Sequence, residues 1–202
     1  MSVVVAVRQN GRVYLATDIV KPRVGLFIPM TSESNLRIRR LKGGILIGSV
    51  GMKAITQRLY LNEKWFTPKK GEPFDKKFLV TSLIPKYIAE LDRAGLLGVR
   101  SREEKDDDAP IAEATFVIVS GSDIFLIDGE FNVTEIDEVA VIGDSTAGSF
   151  IGEYIDFQDK TDIERTLLNA FKECERHKSG VCSKIVIIDN VDKEFKLYGD
   201  KI

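Results

Sequence analysis

Histidine is all but missing from this chain. His177 is the single imidazole among 202 residues, so a Ser-His-Asp triad would have to be built on that one side chain. It sits in the polar stretch ECERHKSG at the end of a helical pattern, where the helix dipole favours a solvated imidazole. Cysteine is nearly as scarce, with Cys174 and Cys182 alone. Their spacing fits neither paired zinc motifs nor a dense disulfide framework, so they read as two reduced, inert thiols and no metal is expected. The apolar run after Ser2 lasts five residues before Arg8 interrupts it. That is too short for a signal-peptide core and far too short to span a bilayer, which leaves the cytoplasm as the default and no membrane as a partner. An excess of one charge is missing too. Twenty-nine basic residues nearly balance 31 acidic ones, the net charge is −2, and no long basic stripe appears, so no nucleic acid is indicated.

What is present reads as ordinary globular sequence, 44% hydrophobic and 30% charged, long enough to bury a sizeable core in one domain spanning 1–202. Residues 3–8 and 12–18 are β-rich runs joined by QNG, and the Asn10-Gly11 pair is the strongest short hairpin signal. The stretch 19–35 holds two prolines and a glycine and reads as a connection with a short strand rather than a regular element. LRIRRLKGGILIGSVG gives two short strands around Gly43-Gly44. The period then changes. MKAITQRLYLNEKW and KKFLVTSLIPKYIAELDRAG carry apolar residues at helical spacing, with Pro85 either kinking the second run or marking its start. VRSREEKDDDAP, the most charged segment, reads as a solvated surface loop. Strands return in ATFVIVSG, DIFLIDG and VTEIDEVAVIG, followed by two helices, TAGSFIGEYIDFQ and DIERTLLNAFKECERHK, the second capped by Asp162. SKIVIID and EFKLYG close the chain as a strand pair. This order predicts an α+β design, with two mainly antiparallel sheets packed face to face and helices outside.

Four stretches, in their order and spacing, carry a resemblance: SVVVAVRQNGRVYLATD at the start, NLRIRRL, GILIGSVGMKA, and FLIDGEFNVTEIDEVAVIGDS. Together they resemble the proteasome β-subunit and HslV family within the N-terminal nucleophile (Ntn) hydrolases, over nearly the whole chain. The resemblance implies a four-layer αββα sandwich and a self-compartmentalised peptidase assembled as a homo-oligomeric ring, acting on a peptide or amide substrate without a cofactor. It implies that Met1 is removed and that Ser2 becomes the nucleophile. An α-amine titrates near ~7.7–8.0 and can take the hydroxyl proton directly or through one water, so the base needs no histidine. The terminus must then be pinned by strand pairing from Val3 onward. On the same match Asp18 supplies a buried negative charge, and Gly51 presents a backbone N–H to the developing oxyanion. Ser145 (or Asp144, one position away) and Ser179 are hydrogen-bond partners of the amine. Lys21, Asn35, Ser49 and Lys53 line the substrate pocket, and its two lysines favour an acidic side chain before the scissile bond.

The sequence also departs from that pattern. The family's site lysine falls at Arg37, which can depress the amine pKa and form a fork to Asp18 but cannot shuttle a proton. The family's later Asp falls near His177, so that carboxylate is missing. Serine stands where threonine is usual, removing a methyl that restrains the hydroxyl. These departures keep two further readings in play: a non-catalytic structural or binding subunit of the same architecture, and a small-amide acylase or transpeptidase. No motif for docking an ATPase partner is readable, and ring symmetry and natural substrate are not encoded in any stretch.

Overall fold

A computed structural model describes residues 3–23, 26–29, 36–100, 109–158, 161–177, 181–192 and 194–199. Its first element is the hairpin that Asn10-Gly11 predicts. β1 (Val3–Gln9) and β2 (Arg12–Asp18) pair antiparallel from Val4↔Thr17 to Gln9↔Arg12. Asn10 and Gly11 take φ of 50° and 74°, the left-handed pair that a tight two-residue hairpin loop requires. The stretch after it departs from expectation. β3 (Val20–Arg23) and β4 (Leu26–Pro29) form a hairpin of their own rather than one short strand. A two-stranded ribbon is all edge, so Pro22 and Pro29 can sit in it without robbing a central ladder of donors.

β5 (Ile38–Arg40) and β6 (Leu46–Gly51) flank the glycine pair as predicted. α1 (Lys53–Tyr60) follows. α2 (Lys76–Phe78) and α3 (Ile84–Arg93) join through one wider turn, in which the Ile84 N–H reaches the Leu79 carbonyl. Pro85 sits in the first turn of α3, marking its start, and the wider turn before it accommodates the ring and the missing donor. β7 (Gly98–Arg100) pairs with β8 (Ala109–Ile111) at the two ends of the charged segment, whose residues 101–108 lie outside the described ones. β9 (Ala114–Ser120), β10 (Asp123–Ile127), β11 (Val133–Ile136) and β12 (Val139–Gly143) come next. The segment read as VTEIDEVAVIG is thus two strands, cut at Asp137-Glu138. Those strands belong to different sheets, and the two adjacent charges mark where the chain crosses between layers. α4 (Ser145–Phe157), α5 (Ile163–His177), β13 (Ile185–Asp189) and β14 (Lys196–Tyr198) complete the order. Asp162 caps α5 as expected, accepting the Arg165 N–H at 3.1 Å.

The two large sheets run β12-β1-β2-β13-β14 and β11-β10-β9-β6-β5, with every described pairing antiparallel. Strand alternation sorts their side chains into three buried clusters. Val4, Ala6, Leu15, Leu46, Val117 and Val186 fill the space between the sheets. Val3, Val5 and Val7 point the other way, onto Ile151, Leu167 and Phe171 of α4 and α5. On the far side, Ile47, Phe116 and Phe125 meet Leu59, Leu83, Tyr87 and Leu91. Helix pair, sheet, sheet, helix pair is the αββα order. The five-residue apolar run of β1 is buried on both faces because it lies in the middle of that stack. Among the described residues no helix is long and apolar enough to cross a membrane.

Candidate active site

Hairpin pairing brings the two ends of the β1–β2 unit together, Val3 beside the close of β2. Thr17 and Asp18 are both wholly buried there. The Val3 N–H donates to Asp18 Oδ1 at 3.3 Å, and Thr17 Oγ1 donates to the Val3 carbonyl at 2.8 Å. Both polar groups of the Val3 backbone are therefore held by side chains of the neighbouring strand. Arg37, just before β5, reaches across from the second sheet. Its Nη1 donates to Asp18 Oδ1 at 3.1 Å and to the Asp18 carbonyl at 3.0 Å, so one guanidinium grips side chain and main chain together. Asp18 Oδ2 is buried with no hydrogen-bond partner among the described residues.

The electrostatics follow from that burial. Desolvation pushes the Asp18 carboxyl up to about 6, against the Arg37 charge and the Val3 N–H, which both pull it down. Burial likewise lowers the Arg37 guanidinium, with Asp18 opposing, yet arginine stays charged at any working pH. The pair is a poised acid and a permanent cation.

Gly51 ends β6 with φ of 118°, and a Cβ there would lie 2.1 Å from the Glu113 carbonyl oxygen. Only glycine fits, because β9 passes too close and the backbone is left-handed. The turn places Gly51 in an open cleft of about 460 Å³ shared with Glu113, Gly129, Gly143 and Asp144. Gly143 is the register partner of Val3. The cleft therefore lies against the strand that holds the first described residue. The one-position ambiguity at GDST has a structural content: Asp144 spends its carboxylate capping α4 on the Ala147 N–H at 2.9 Å, whereas Ser145 opens that helix and is exposed.

The remaining candidates scatter. Ser2, Asn35 and Ser179 lie outside the described residues, and Lys21 falls in β3. Lys53 is exposed at the start of α1. Ser49, expected to face a substrate, is buried with its hydroxyl on that of Tyr60, while its N–H donates to the Arg37 carbonyl at 2.9 Å. Thr17 and Tyr60 are two members that sequence reading passed over. A threonine inside a strand and a tyrosine inside a helical run carry no local signal of a site. Among the described residues no three His, Cys, Asp or Glu side chains converge as metal ligands would.

No protein-family model and no curated protein matches the chain. Solved structures do. The chain is similar to Thiobacillus denitrificans BPH at 14% identity and TM-score 0.69, over 93% of this chain and 96% of that one. BPH also matches in a complex with epoxomicin. Eukaryotic HslV from Trypanosoma brucei matches at 19% identity and TM-score 0.60, over 93% and 98%. Anbu, an ancestral β-subunit from Yersinia bercovieri, matches at 13% identity and TM-score 0.65, over 96% and 86%. Two antiparallel sheets between two helix pairs, aligned over nearly the full length of each neighbour, give this chain the proteasome-like Ntn-hydrolase fold.

Proposed function

We propose that this chain is an Ntn hydrolase that cleaves peptide bonds, with Ser2 as nucleophile and, once Met1 is removed, its own α-amine as general base. One observation carries the reading: the residue next to Ser2 is fastened to a buried ion pair, Val3 N–H and Arg37 both donating to Asp18 Oδ1. Burying two charges at the first residue of a strand is unfavourable unless they are paired and needed. Val4 and Ala6 face the second sheet, and that sheet supplies Gly51.

In this reading the Ser2 hydroxyl attacks the carbonyl carbon while the amine accepts its proton. The oxyanion is met by the Gly51 N–H. The C–N bond then breaks, the leaving amine takes the proton, and the ester left on Ser2 is hydrolysed by water. Arg37 lowers the pKa of the terminal amine by like charge, and Asp18 opposes it. Ser145 and Ser179 orient the amine, and Lys21, Asn35 and Lys53 face the substrate. The enzyme works in the cytoplasm as a homo-oligomeric ring.

Intact mass of protein from its own host, combined with epoxomicin labelling and casein turnover, tests this. We expect loss of Met1, label on Ser2, and turnover reduced about 10³-fold in Ser2→Ala. Met1 retained and no label would overturn it. Arg37 favours a second reading, a non-catalytic subunit, because a fixed cation cannot pass a proton. Silence in the wild type with turnover restored by Arg37→Lys would select that reading.

A further inference from the structure

Tyr60 closes α1, and packing accounts only for its ring. Its hydroxyl donates to the Arg37 carbonyl at 3.3 Å and shares a second hydrogen bond with the Ser49 hydroxyl. The Arg37 carbonyl also accepts the Ser49 N–H, so both its lone pairs are engaged by residues outside its own strand. On the flank of the same ring, the Arg39 guanidinium lies 4.8 Å from the centroid, within cation–π range. One phenol thus holds the chain at Arg37 and again two residues on. That matters because β5 is three residues long and stands at the edge of its sheet, with β6 as its ladder partner. Without such fastening a short edge strand leaves Arg37 free to drift from Asp18.

We propose that Tyr60 is a positioning residue: the chain Ser49 hydroxyl, Tyr60 hydroxyl, Arg37 carbonyl fixes the Arg37 main chain so that its guanidinium stays on Asp18. Burial raises the Tyr60 phenol above its ordinary range, which keeps it protonated and donating. Among the described residues, Tyr60 of α1 acts on Arg37 and the Cys182 thiol ahead of β13 feels the Asp18 charge, while Arg39 of β5 acts on the Tyr60 phenol.

The test reads the Asp18 carboxyl directly by carbon NMR across pH, in the full chain. Tyr60→Phe keeps the ring and removes the hydroxyl, orphaning Ser49; the double variant Ser49→Ala/Tyr60→Phe removes the orphan as well. With Arg37 loosened, the Asp18 midpoint should rise by about half a pH unit in both. The Tm lost in the single variant should return in the double, since the orphaned hydroxyl is gone. Ser49→Ala alone should move the midpoint less, in the same direction. The kinetic arm rests on the hydrolase reading: kcat falls about tenfold at constant KM, and the acid limb of the rate profile follows the Asp18 midpoint. An unmoved midpoint in the Tyr60→Phe variants overturns the role of Tyr60. Absence of turnover in the wild type overturns the hydrolase reading alone, since the NMR measurement does not depend on it.

Discussion

Asp18 is where the chemistry of this molecule becomes measurable at single-residue scale. Its carboxyl is pushed up to about 6 by burial, so between about pH 4 and 6 the folded protein keeps a proton that the unfolded chain releases. Stability from this group is fully present below about pH 4 and is lost as pH rises through 6, up to about 3 kcal/mol. Chemical denaturation of wild type and Asp18→Asn at each pH isolates it. The wild type should weaken relative to the variant as pH climbs from 4 to 7; a flat difference would show that burial does not govern Asp18. At this scale Asp18, Arg37 and Gly51 stand in stretches that the sequence singles out, and the fold brings Asp18 and Arg37 into contact. Thr17 and Tyr60 are not legible in that way, since each acts on a backbone carbonyl that pairing and packing bring close from 14 or 23 residues away.

Elements show where local rules suffice and where they fail. Gly51 unites both cases: the strand-to-helix turn is readable, but the requirement for glycine comes from Glu113, 62 residues on, whose carbonyl would meet a Cβ at 2.1 Å. Gly51→Ala combines that clash with a φ of 118°, and should cost about 3 kcal/mol in a urea titration. A loss under 1 kcal/mol, roughly the price of a tolerant turn glycine, would mean that β9 yields. The Asn10-Gly11 turn needed nothing beyond two residues. The cut at Asp137-Glu138 did, because both halves alternate like strand and only the sheet they join tells them apart.

For the whole molecule, the stack of two sheets and two helix pairs buries the apolar faces of every large element, yet Leu61 and Phe157 remain 81% and 84% exposed. Standing singly in different helix layers, these two side chains do not mark an interface, so the proposed ring is read from the mass in solution. Light scattering on the purified protein should return a multiple of 22.6 kDa; a particle of 22.6 kDa would remove the ring and leave the Ser2 chemistry untouched. By itself the sequence determined the class of elements and their order, since hydrophobic period, turn residues and caps act over a few neighbours. It also determined the candidate nucleophile, through a resemblance carried by short stretches. The resemblance led to the expectation of a buried Asp18 facing Arg37; tertiary structure alone decided how far Asp18 loses its water, that Arg37 also holds the Asp18 carbonyl, and that Tyr60 reaches Arg37. Those outcomes depend on which strands become neighbours and how deeply they are covered, and desolvation is a property of the assembled layers, which no short stretch of residues contains.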